Sequence, residues 1–154
     1  MMFMRVILDT NVLIDALNDN FSYTWRIIDL ILQDKIQAFA SDKILKEYQL
    51  IMDRIGINDS DKEKLERFFS KIEMVHVTKR LSVIPDDPQD EKFVECADEA
   101  NVDYVISSDR HLLNLSKYNN IKMIHPKDFW FEYQGKKPDA DDEWKDLFRT
   151  ILGK

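Results

Sequence analysis

The chain has 154 residues, 44% of them hydrophobic, and a formal charge of −7. That length fits one compact domain with a real core and leaves little room for two. The single cysteine, Cys96, excludes an internal disulfide and any multi-cysteine zinc site, suits a reducing compartment, and reads as core filling. The acidic balance argues against a protein that coats nucleic acid, because phosphate binding draws on Lys and Arg. It leaves an enzyme open, since carboxylates gathered around a divalent cation make a chain acidic while local basic patches stay free. The opening MMFMRVILD has one Arg and an apolar stretch that stops at Asp9, too short for a leader or a membrane span. A soluble, cytoplasmic protein is expected.

RVILD is expected to be a buried, parallel-type strand and NVLIDAL the helix it feeds. TWRIIDLILQDK has Trp25, Ile28, Ile31 and Leu32 at helical spacing and leads to a short strand, IQAFA. A third helix starts at Ser41 and Asp42, with an apolar face of Ile44, Tyr48, Ile51 and Ile55. NDSDKEKLERFFSKI predicts a fourth, with Leu65, Phe68, Phe69 and Ile72 inward, and MVHV a strand. Pro85 and Pro88 mark a loop, and DDPQD opens a helix through Ala100. DYVISS is a strand that meets Asp109 and a short helix ending near Leu115; IKMIH is the last strand and PKDFWFEY a Pro-initiated helix. This alternation predicts a three-layer α/β/α sandwich with a mainly parallel central sheet over residues 1–134. Residues 135–154 begin as a linker and end in an amphipathic helix with Trp144, Leu147, Phe148 and Ile151, packed on the domain, a partner or a second copy.

Four carboxylates are expected to meet. In an open parallel sheet, ligands sit beyond the carboxyl ends of the strands, where Asp9 follows RVIL and Asp109 follows YVISS. On the helix after DPQD, Phe93, Ala97 and Ala100 define the inward face, and Asp90 falls on that face one turn earlier. Asp86 and Asp87 lie before Pro88, outside the helix, so Asp90 is preferred. Glu47 borders the stripe of the third helix. Each acid alone reads as a helix cap, a first-turn carboxylate or a solvated flank residue. Together, in a partly dry crevice, they repel one another unless a cation is present. An all-oxygen site without Cys selects Mg²⁺ or Mn²⁺, and His76, His111 and His125 lack zinc-motif spacing. Such an ion makes phosphodiester hydrolysis by activated water the leading reaction.

DTNVLI with Asp9, then Glu47 in a helix, DPQDEKF with Asp90, and YVISSDRHLL with Asp109 resemble the PIN-domain nucleases, especially the bacterial toxin-like, VapC-related branch, over roughly residues 4 to 130. The resemblance implies a metal-dependent ribonuclease. Asp9 and Asp109 would hold the main ion, Asp90 and Glu47 would complete its shell partly through water and position the nucleophile, and Asn11 and Ser107 would orient these ligands. It also implies a 5′-phosphate product, a small antitoxin partner and a homodimer. Several relatives carry Asp two residues after the last acid, where this chain has His111, which puts a second tightly held ion in doubt. Gln89 and Glu91 also stand where relatives often have Asp. A haloacid-dehalogenase-like phosphatase would need Asp at Asn11, and a receiver domain an acidic pair by its first strand and a late Lys. The remaining alternative is a catalytically inactive PIN-like module that binds RNA or protein.

Overall fold

A computed structural model describes residues 3–54, 56–135, 149 and 151. Ile55 and the tail positions Trp144, Leu147 and Phe148 lie outside the described residues. The first strand, β1 (Met4–Leu8), occupies the middle of the sheet, and its last three residues are buried. It pairs in parallel with β2 (Ile36–Ala40) on one side, Val6 opposite Ala38, and with β4 (Tyr104–Ile106) on the other, Leu8 opposite Ile106. The short strand β3 (Glu73–Met74) extends the sheet beyond β2, β6 (Ile121–Ile124) beyond β4, and β5 (Lys117–Tyr118) closes the far edge antiparallel to β6. The order is therefore β3-β2-β1-β4-β6-β5. The chain builds outward from β1 in both directions. That makes the β1/β4 boundary the point where the winding reverses, and the chain ends leaving these two strands separate to frame a crevice.

The helices α1 (Thr10–Asn18), α2 (Tyr23–Leu32), α3 (Asp42–Met52), α4 (Asp59–Lys71), α5 (Glu91–Ala100), α6 (Arg110–Leu115) and α7 (Pro126–Tyr133) flank the sheet, giving the expected three layers. Side-chain caps start most of them: Ser22 for α2, Ser41 for α3, Asn58 for α4 and His125 for α7. Helix α2 buries Ile27 and Leu30 as well as the expected Trp25, Ile28 and Ile31, because α1, α4 and α7 cover the sides that the sheet does not. The Trp25 indole N–H satisfies the carbonyl of Ala16 at 2.8 Å and ties α2 to α1.

On α3, Tyr48 is almost fully buried; its ring stacks on Phe69 at 5.8 Å and its hydroxyl donates to the carbonyl of Leu8, the residue before Asp9. Burying a ring of this size stabilises by about 1.5–3 kcal/mol, and the hydroxyl bond fixes α3 against the end of β1. Burial also pushes the Tyr48 phenol well above its ordinary range, so the group stays a donor. Cys96 is buried on α5, its thiol pushed up to about 12 by desolvation, which fits core filling.

The sheet departs from expectation at its edges. MVHV contributes only Met74 to β3, after which Val75 makes one last bond to Ala40 and the chain leaves the sheet. Strand β5 was not expected; the left-handed Asn119 (φ 52°) turns the chain into the hairpin with β6. The DDPQD helix starts later than the sequence suggests: Pro88–Asp90 form a 3-10 turn and α5 begins at Glu91.

A candidate metal centre at the carboxyl ends of the strands

Asp9 follows β1 directly and caps α1, its Oδ1 accepting the backbone N–H of Asn11 at 3.2 Å. Asp109 does the same for α6, accepting the N–H of His111 at 2.9 Å. The capping reading of both residues is therefore correct. Each cap uses one carboxylate oxygen. Ser107, fully buried between them, donates its hydroxyl to Asp9 Oδ2 at 2.7 Å and accepts the N–H of Asp109 at 2.9 Å. One short side chain after β4 thus sets the spacing of both acids. Asn11 contributes its backbone N–H only; its side chain is exposed, so the orienting part expected of it falls to the peptide.

Asp90 ends the 3-10 turn, and at 8% exposure its Oδ2 has no hydrogen-bond partner among the described residues. Burial, and then a hydrogen bond in which it donates to Asp109, hold its carboxyl far above the usual range. The same bond holds Asp109 below that range. The two acids therefore titrate as a pair, Asp90 pushed up and Asp109 held down. Asp9 is pushed up to about 6, chiefly by burial, with the Ser107 and Asn11 donors working against it and the charges of Asp109 and Glu47 adding to it. Glu47 approaches from α3, where Lys92 of α5 pairs with it at 2.7 Å. The four expected acids act on one another through their charges, Glu47 and Asp109 on Asp9 and Asp9 on Asp90, with a cation already beside Glu47.

Two neighbours escaped the sequence reading. Asp87 lies outside the helix, as expected, yet turns toward the crevice: its Oδ2 is 3.3 Å from His111 Nδ1, which is 3.7 Å from Asp109 Oδ1. Asp87, Asp109 and His111 each offer one ligand atom within 4.8 Å of the others. The signal available was the density of acids in DDPQD, but their direction depends on the turn that Pro88 starts. Lys92 was equally hidden, since a lysine on an amphipathic helix reads as solvated.

The segment 75–87 that delivers Asp87 is strapped to α5 by a ladder of carboxylates. Glu99 accepts the backbone N–H of Thr78 at 3.1 Å, Glu95 that of Leu81 at 2.8 Å, and Glu91 that of Ile84 at 2.5 Å. Acids four apart on a helix meet amides three apart on an extended strap. Lys79 adds an ion pair to Asp98 at 2.6 Å. These bonds supply the backbone partners that a longer β3 would have supplied.

An α/β domain whose winding reverses between β1 and β4 opens its crevice where Asp9 and Asp109 stand, the place where open parallel sheets bind ligands. Comparison with known proteins makes the class specific: the PIN domain matches residues 5–111, and the chain belongs to that family of nucleases. The uncharacterized protein MJ1680 of Methanocaldococcus jannaschii is 29% identical over 143 residues, a match spanning 84% of this chain and 92% of that protein. Two crystal structures share the fold. A chain of VapBC2 from Rickettsia felis, a complex bound to a DNA fragment from its promoter, superposes with a TM-score of 0.55 and 16% identity, covering 79% of this chain and 98% of that one. PAE2754 from Pyrobaculum aerophilum gives 0.52 and 13%, covering 88% and 100%.

Proposed function

We propose that the chain is an Mg²⁺- or Mn²⁺-dependent endoribonuclease whose site is Asp9, Glu47, Asp90 and Asp109, with Ser107 holding the first and last in register. The observation that carries this reading is Asp90, buried with an oxygen that nothing in the described chain satisfies, its carboxyl pushed up first by burial and then by Asp109 beside it. Leaving a polar atom so placed costs roughly 1–3 kcal/mol, a strain that a bound cation relieves. The residues fit such an ion: four carboxylates, two of them raised by burial and mutual repulsion, form a hard oxygen donor set.

Asp9 and Asp109 would hold the ion, with Asp90 and Glu47 completing the set. When bound, the ion activates water and stabilises the oxygen that leaves phosphorus. Ser107 fixes the Asp9 and Asp109 carboxylates so that little rearrangement is needed. Positive charge there would favour the ionised form of Asp90. Lys92 balances Glu47 until substrate phosphate competes for it. The family resemblance implies a 5′-phosphate and a 3′-hydroxyl, the ends that water attack gives when the 3′ oxygen leaves phosphorus.

The resemblance to the VapC-related branch extends this reading to a toxin acting with a small antitoxin and to a homodimer; the fold shared with a chain of VapBC2 accords with the first. One observation favours the alternative of an inactive RNA- or protein-binding module: Glu47 is already neutralised by Lys92. The readings separate in one assay. Single-stranded RNA is incubated with the protein and Mg²⁺, Mn²⁺ or a chelator, and the product ends are mapped. The nuclease reading expects cleavage with either ion, none with chelator, and 5′-phosphate ends; intact RNA throughout, with no Mg²⁺ binding in calorimetry, means the inactive module.

A further inference from the structure

Beside the acidic crevice two adjoining hollows, of about 270 and 430 Å³, share Lys43, Arg80, Lys92 and Glu95 on their walls. Lys92 stands at the crevice end, paired with Glu47. Lys43, in the first turn of α3, and Arg80, on the strap, are exposed and make no ion pair or hydrogen bond among the described residues. The acids on these walls do not match them: Glu91 and Glu95 are buried, each accepting a strap amide through one oxygen, which leaves Asp42 as the solvent-facing one. In a chain of net charge −7, a groove whose free charges are mainly positive and which ends at the carboxylates is a local reversal of sign.

We infer that this groove binds the sugar-phosphate backbone of a single RNA strand and leads it into the crevice, Lys43 and Arg80 contacting phosphates and Lys92 standing at the entrance. Its occupant rests on the ribonuclease reading. No Phe, Tyr or Trp lines either hollow, and His76 is the one aromatic ring on their walls among the described residues. The Lys43 and Arg80 contacts go to phosphate, so they carry no base identity and make binding strongly dependent on salt.

The test measures binding of a fluorescent single-stranded RNA across a salt series, in the presence of chelator and in the Asp9→Asn background, so that no cleavage is needed. Each phosphate neutralised on a single strand contributes about 0.7 to the slope of log affinity against log salt. Lys43→Ala with Arg80→Ala should lower that slope by about 1.4 and weaken binding at low salt. Lys46→Ala with Lys62→Ala, an equal loss of charge at exposed positions off the groove, should leave the slope unchanged. An equal fall in both pairs, or none in the Lys43 and Arg80 pair, overturns the groove and leaves an acidic protein segment as the occupant to examine. The result stands whether or not wild type cuts RNA, so failure of the nuclease reading is detected separately.

Discussion

Asp9 is held by only two neutral donors, the Ser107 hydroxyl and the Asn11 amide, while burial opposes its charge. A carboxyl pushed up to about 6 keeps its proton in the folded chain after the unfolded chain has lost it. Its contribution to stability therefore falls as pH rises from about 4 through 6, a penalty on the order of 3 kcal/mol above that window. Asn keeps the cap and removes the charge. Asp9→Asn should raise the melting temperature of chelated protein at about pH 8 and change it little near pH 4; scanning calorimetry at both checks this, and a lower value at both means that Asp9 only caps α1. Ser107→Ala should cost roughly 1–3 kcal/mol in denaturant unfolding and weaken Mn²⁺ binding by about 10–100-fold in calorimetry. A variant with unchanged Mn²⁺ affinity would remove Ser107 from the site. Asp9 and Asp109 were legible in the sequence because strand ends aim them; Asp90 was legible as an inward acid, although the 3-10 turn before α5 and not the helix face expected positions it. Asp87 was not, since a proline turn and a distant strap decide its direction. Asn11 was legible only in part, because a backbone N–H carries no sequence signature.

The strap on α5 is the element whose stability controls Asp87 and Arg80. Each bond joins a carboxylate to a peptide N–H, so removing the acid leaves an amide without its partner. Glu95→Ala should speed hydrogen exchange of the Leu81 amide and neighbouring strap amides selectively, leaving β1 and β4 protected; uniform exchange across the molecule would instead mean global destabilisation. The ladder is also sensitive to acid. The Thr78 amide holds the Glu99 carboxyl below its ordinary range, and the Lys79 ammonium does so for Asp98. Groups with depressed values stabilise above their unfolded values, about 4, and lose that contribution as pH falls through the folded ones. Strap protection at Thr78 should therefore decline below about pH 4 before the core melts. This element could not be read from the sequence. Glu91, Glu95 and Glu99 look like one solvated helix face, and MVHV looks like a strand, until the two segments are seen to satisfy each other.

For the molecule as a whole, the alternation of strands and helices was enough to predict three layers and a mainly parallel sheet, because a buried parallel strand such as RVIL has no other stable setting. Strand order was not predictable in the same way. It rests on which crossover goes to which side of β1, and that choice places Ser107 and Asp109 beside Asp9 through the 2.9 Å bond from the Asp9 N–H to Ile106. The fold therefore converts two separated strand ends into one acidic crevice, and the net charge of −7 coexists with a basic groove at its edge. The central claim is that this crevice cuts RNA with a divalent ion. It is tested most directly by cleavage of one single-stranded RNA by wild type and Asp9→Asn side by side, with Mn²⁺ and with chelator. Cleavage by wild type with Mn²⁺ alone, and none by an Asp9→Asn protein that melts as a folded domain, is the result the account predicts. Equal cleavage by both proteins, or none by wild type, would contradict it.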